Sequence, residues 1–347
     1  MSRACPTLLA AAGLTLVGRV ARLALLLSFA ATTVAIAAEP NLLDELQINQ
    51  LQYIGTHNSY HIRVPGKSKR EVPEWNYNHA PLDVQLDRGV RSFELDLHYK
   101  EGRFEVFHVP LIDEGTTCRK LSDALATVRK WSDAHRSHVP ISFLFELKKE
   151  GPGLDRRIRE VDAEGLDRLD KVLCAGFPAE RRIAPDDVRG GAETLREAVT
   201  SKGWPTLGAS RGKVLFILHD EGNKRELYTR EHPSLRGRAM FVRSDDKRED
   251  AAVLILDNPR SESINRMAKM GYFIRTRADS DLRGNLADKQ ARRDAALAGG
   301  AHILSTDFPA GEAQAETGYV VEFSDAAQAR VNPVSGPAAL SGQTIAP

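Results

Sequence analysis

Four short polar clusters in this sequence each follow or interrupt an apolar run, and together they carry the side chains that proton transfer and cation binding require. Gly55-Thr56-His57-Asn58-Ser59-Tyr60 follows the run Leu51–Ile54, and Glu94 and Asp96 lie two apart within Arg91–Leu97. His108 follows Phe104–Phe107, and Glu146 closes Ile141–Leu147 with Lys148 just beyond it. Residues two apart in an extended chain share a face, so Glu94 and Asp96 act from one side. Asn58, Glu94, Asp96 and Glu146 offer oxygen ligands, which suit a hard cation such as Ca2+. His57 and His108 can exchange protons near neutral pH, one with an attacking hydroxyl and one with a leaving oxygen. A divalent ion stabilises charge on a phosphate and helps to deprotonate a neighbouring alcohol. Those are the needs of phosphodiester cleavage.

Such residues work together only if a scaffold gathers them. Strand-like runs occur at Leu51–Ile54, Arg91–Leu97, Phe104–Phe107, Ile141–Leu147, Val214–Leu218, Ala239–Val242, Tyr272–Thr276 and His302–Ser305, with a further candidate at Val253–Leu256. Between them lie helical patterns at Leu121–Arg136, Gly165–Ala175, Ala192–Lys202, Glu262–Met270 and Asn285–Ala298. Strands separated by helices imply parallel pairing through crossovers. This alternation predicts an α/β fold, a TIM-like (β/α)8 barrel, whose strand ends converge on one catalytic rim. A doubly wound open sheet is the alternative, but no Gly-rich fingerprint follows the first strand. The link from Arg91–Leu97 to Phe104–Phe107 is too short for a helix, so the barrel is expected to be irregular there.

On that rim, Lys148, Lys213, Arg275 and Arg277 are candidates to grip phosphate or head-group oxygens. Asp307, after the last strand, is placed to orient a histidine or bind a hydroxyl. His98 continues the Glu94 and Asp96 face, towards either the pocket or solvent. His61, His79, His135, His138 and His232 read as loop or surface residues.

The 347 residues are 42% hydrophobic and 27% charged, enough apolar material for one large domain. Residues 1–38 read as an export signal. Met1–Ala37 has no acidic residue, Arg3, Arg19 and Arg22 are its basic residues, and the apolar run Leu23–Ile36 ends in Ala35-Ile36-Ala37. Removing those three arginines takes the formal charge from +1 to −2. Near-neutrality argues against nucleic acid as a partner. The expected location is the periplasm or the exterior, where Cys118 and Cys174 can pair or remain free thiols. The barrel is expected over residues 39–323. Residues 324–347, rich in Ala, Gly, Pro, Ser and Gln, read as a flexible tail.

His57-Asn58, Glu94-Leu95-Asp96, His108 and Glu146, in that order and at strand ends, resemble the catalytic X region of calcium-dependent phosphatidylinositol-specific phospholipases C, in their bacterial single-domain branch. Softer matches are Arg275-Thr276-Arg277-Ala278-Asp279 and Ser305-Thr306-Asp307-Phe308-Pro309. The resemblance implies that an inositol 2-hydroxyl attacks phosphorus and diacylglycerol leaves, giving a cyclic inositol phosphate that water can later open. It implies His57 at the phosphate and the nucleophile's proton, with His108 at the leaving oxygen or the pentavalent centre. Asn58, Glu94, Asp96 and Glu146 would hold Ca2+, and the basic role stays open between His57 and Glu146. The implied partner is a phospholipid or glycerophosphodiester, met in passing at a membrane surface. Lipid-targeting modules and EF-hand loops of multidomain relatives are not seen, so unphosphorylated phosphatidylinositol, or another phosphodiester, is the expected substrate. A glycerophosphodiester phosphodiesterase is the competing enzyme, but its His-Arg-Gly is replaced by His57-Asn58-Ser59. A non-catalytic lipid- or sugar-phosphate-binding barrel is the competing class.

Overall fold

Eight apolar runs become parallel strands of one curled sheet: β1 (Leu51–Thr56), β2 (Val90–Lys100), β3 (Ile141–Leu147), β4 (Val214–Leu218), β5 (Met240–Val242), β6 (Val253–Ile255), β7 (Phe273–Arg277) and β8 (Ile303–Thr306). The structure, a computed structural model, describes residues 41–64, 72–149, 151–279 and 285–346, so the expected signal segment lies outside the described residues. Each strand pairs with the next from β1 to β5 and from β6 to β8, and β8 pairs back onto β1. Between β5 and β6 the ladder shrinks to one parallel bridge, Arg243 with Val253, supported by the Ser244 N–H donating to the Val253 carbonyl at 3.1 Å. The barrel closes, but irregularly.

Contacts that skip over strands show which residues face inward. Tyr53 of β1 meets Phe273 of β7, ring centroids 6.2 Å apart, although β8 lies between them. The alternate residue Arg275 of β7 reaches Glu94 of β2 past both β8 and β1. The inner layers therefore run from aromatic at the base to charged at the strand ends. Gly55 allows this packing, because a Cβ there would stand 2.8 Å from the Ser92 Cβ and 3.0 Å from Ile303.

The opposite faces of β3 and β4 present Phe143, Phe145 and Phe216, which pack with Phe177 at the end of the crossover helix Ala163–Gly176. Phe143 is fully buried and also touches Phe93. Phe143→Ala should cost about 3–5 kcal/mol of stability, read as a lower denaturant midpoint at unchanged slope.

Three expectations need correction. The segment after β2 is not a barrel strand: Arg103–Val106 folds back antiparallel on it, as its short link requires. Residues after Phe323 are not a loose tail: Ala329–Val331 pairs antiparallel with β1, and Thr344–Ile345 pairs with it in turn. Ala329 and Val331 are fully buried, and Gln328 accepts hydrogen bonds from Arg91 Nε and the Val139 N–H. The segment thus seals the lower end of β1, where an open barrel would expose backbone and apolar side chains. Lys213 precedes β4 and so lies at the end of the barrel away from the rim. Cys118 and Cys174 are both free thiols. Among the described residues, no helix is long and apolar enough to cross a membrane.

Candidate active site

The loop leaving β1 is tied to β2 by reciprocal bonds: the Ser59 N–H donates to the Glu94 carbonyl at 2.9 Å, and the Glu94 N–H donates to Ser59 Oγ at 2.8 Å. Within it Asn58 adopts φ +45°, a left-handed conformation that asparagine tolerates better than most residues. That turn sets His57 and Asn58 over the barrel mouth. His57 Nδ1 stands 2.8 Å from Asp307 Oδ1, and Arg277 donates to the other Asp307 oxygen at 3.1 Å. Since a carboxylate only accepts, Nδ1 carries the proton and Nε2 is left bare, 3.8 Å from Glu94. Burial, followed by the nearby Arg277 cation, holds His57 well below the ordinary histidine range, so its ring is a neutral base.

His108 has the same arrangement on the other side. Its Nδ1 stands 2.8 Å from Asp113 Oδ2, and Trp75 meets its ring edge-on at 5.1 Å between centroids. His61 Nε2 contacts the same Asp113 oxygen at 2.9 Å. His98 faces inward: burial lowers it to about 4, and its Nε2 lies 3.1 and 3.2 Å from the carbonyls of Phe107 and His108, bracing the His108 turn. Of the histidines expected in loops or at the surface, His61, His79 and His138 are buried. His219, which follows β4, is a pocket residue with no sequence motif to mark it; it stands near enough to Glu94 to favour the ionised carboxylate.

The expected cation ligands come together in part. Asp96 and Glu146 are directly paired in register, and Lys148 Nζ lies 3.2 Å from one and 3.1 Å from the other. Glu94 instead engages Arg275, whose other side grips Asp257. Burial would raise Glu94, but Arg275 and then His57 bring it down to about 2. Asn58 Nδ2 donates to the Tyr77 hydroxyl at 3.0 Å, which leaves its amide oxygen for another partner. Asp96 is the telling residue. Both its oxygens are buried without a hydrogen bond, for the Lys148 contact is one of charge and lacks bonding geometry. Burial, only partly offset by Lys148 and reinforced by Glu146 and Glu94, pushes it well above the usual carboxylate range. A buried carboxyl in this condition keeps its proton until a cation replaces it, and the oxygen-only donor set fits calcium.

A second cluster has a different character. His61, His108 and Asp113 are the one group of three or more histidine, cysteine or carboxylate ligand atoms within 4.8 Å of one another among the described residues. Their 2.8 and 2.9 Å separations are hydrogen-bond lengths, which protons between the atoms explain.

The family model described as "Phosphoinositide phospholipase C, Ca2+-dependent" matches residues 46–105 and 98–333, nearly the whole described barrel. The chain belongs to that family. It is therefore a phosphodiesterase, as the paired histidines and carboxylates suggest. The fold agrees with solved structures of this phospholipase C family. A calcium-dependent phosphoinositol-specific phospholipase C from a Gram-negative Pseudomonas species aligns at 20% identity with TM-score 0.54, covering 80% of this chain and 95% of that one. A Ca2+-dependent phosphatidylinositol-specific phospholipase C from Streptomyces antibioticus aligns at 20% identity and TM-score 0.54, covering 76% and 95%. No curated protein matches the sequence.

Proposed function

We propose that this phospholipase C cleaves phosphatidylinositol to diacylglycerol and a cyclic inositol phosphate, with His57 as general base and His108 as general acid. The observation that carries the assignment is the matched pair of imidazoles, each fixed at Nδ1 by a carboxylate, Asp307 or Asp113, so that each offers Nε2 to the cavity. The neutral His57 takes the proton of the inositol 2-hydroxyl as that oxygen attacks phosphorus. His108, protonated at both nitrogens, gives its Nε2 proton to the departing glycerol oxygen. Water reverses the two roles when it opens the cyclic product. Asn58, Glu94, Asp96 and Glu146 would hold Ca2+, which supplies charge stabilisation at the phosphate and makes the hydroxyl easier to deprotonate. Glu94, 3.8 Å from His57, is paired with Arg275, and Glu146 lies against Lys148, which favours His57 as the base.

The unphosphorylated head group follows from charge accounting at the mouth. Arg275 and Arg277 commit their charge to carboxylates, at Glu94 and Asp257 and at Asp307. A ring phosphate would have to compete with those ion pairs. Phosphorus NMR of products from phosphatidylinositol, with and without chelator, tests the whole reading. A cyclic phosphodiester signal that disappears in chelator supports it; glycerol phosphate as product would instead identify a glycerophosphodiester phosphodiesterase.

The lipid approaches beside His108. Leu111 is 58% exposed and Ile62 37% exposed, and the Ile62 N–H bonds to Gly115 at the end of the same turn. These apolar side chains beside Trp75 suit brief contact with a bilayer surface. Leu111→Asp should cut activity on vesicles about tenfold while sparing a short-chain substrate dispersed as monomers. Equal losses on both substrates would remove the membrane role. Residues 1–38 supply the reading that the enzyme is exported to meet its lipid.

A further inference from the structure

The proposed chemistry leaves one buried ionisable side chain beside the acid without a task. His61 is fully buried, with Nδ1 3.0 Å from the Tyr77 carbonyl and Nε2 2.9 Å from Asp113 Oδ2. A carbonyl only accepts. Asp113 also only accepts, because the hydrogen bonds from His108 and His61 outweigh its burial and hold it at about 2. The His61 ring is therefore pinned between two acceptors, one on the Tyr77 backbone and one on Asp113. The same Asp113 oxygen receives His108 Nδ1 at 2.8 Å, and the two rings meet edge-on with centroids 6.0 Å apart. One carboxylate oxygen thus carries two imidazoles of unequal freedom: His61 is closed in, whereas His108 keeps Nε2 open to the cavity.

We infer that His61 is a positioning residue for leaving-group protonation, acting on His108 through their shared Asp113 oxygen. Its Nε2–H, anchored from behind by the Tyr77 carbonyl, fixes the Asp113 side chain and with it the plane of the His108 ring. The inference rests on His108 being the acid, as proposed above.

The test exploits leaving groups. An alkyl ester, phosphatidylinositol of short chain length, needs its glycerol oxygen protonated; the p-nitrophenyl ester of inositol 1-phosphate departs without help. His61→Leu should lower kcat on the alkyl ester roughly 10- to 100-fold and on the aryl ester by less than about threefold, with KM little changed on either. His61→Gln keeps a donor facing Asp113, and should recover part of the alkyl-ester loss. If His61→Leu fails to fold by its thermal transition, Asp113→Asn and His61→Gln carry the same comparison. Parallel losses on both esters, or none on either, overturn the inference. His108→Ala is the reference: should it cleave the alkyl ester as fast as the aryl ester relative to wild type, the assignment of the acid itself fails, and that outcome is distinct from a failure at His61.

Discussion

His57→Ala is expected to lower turnover of phosphatidylinositol by about 10^3-fold or more, with the folded state and Ca2+ binding retained. The ring is half-buried at the mouth, outside the aromatic layers that hold the barrel together, so its loss removes chemistry and little packing. Two supporting variants separate its functions. Asp307→Asn keeps the shape but lets the imidazole turn or switch tautomer, and should cost a smaller part of the same loss. Arg277→Gln removes a cation that, after burial, is the largest influence holding His57 down. The sign is direct. A base whose conjugate acid is disfavoured stays unprotonated to lower pH, so the acid limb of kcat/KM should fall below the ordinary histidine value of 6.5. Removing Arg277 makes the protonated ring easier to form and should move that limb upward. A limb that stays in place in Arg277→Gln would argue that another group, with Glu146 the first suspect, is the base.

What could be read in the sequence is what lies on strands. Glu94, Asp96 and Glu146 belong to period-two patterns that end in polar clusters, and the strand ends of a barrel bring such residues to one rim. Arg275, Arg277 and Asp307 are placed by the same logic, although Arg275 serves Glu94 and Asp257 and Arg277 serves Asp307, where the sequence suggested phosphate. The side chains that orient His108 were not legible. Asp113 and Tyr77 sit in turns, without periodicity to show which way they point, and His61 reads as a loop residue until those turns close around it. The C-terminal segment shows the other weakness of local reading. Its small and polar residues look loosely structured, yet Ala329 and Val331 are buried against a strand about 280 residues earlier in the chain. Composition carries no record of so distant a partner.

The second large effect concerns the cation. Asp96→Asn should weaken Ca2+ binding about 100-fold, because Asp96 is the ligand whose two oxygens are buried with no hydrogen bond. The more discriminating variant is Lys148→Met. Lys148 Nζ lies between Asp96 and Glu146, so an incoming cation must displace a positive charge already resting on two of its ligands. Removing that charge leaves two carboxylates facing each other across adjacent strands, a repulsion that Ca2+ relieves. Lys148→Met is therefore expected to tighten Ca2+ by about tenfold in calorimetric titration, while the calcium-free protein melts at a lower temperature. Catalysis is expected to move the other way if the displaced lysine then turns to the substrate phosphate: the variant would bind its metal better and turn over more slowly. Weaker Ca2+ binding in Lys148→Met would show that the lysine organises the ligands, and the competition between lysine and calcium would have to be abandoned. A wild-type protein that binds no Ca2+ at all would reject the ligand set itself.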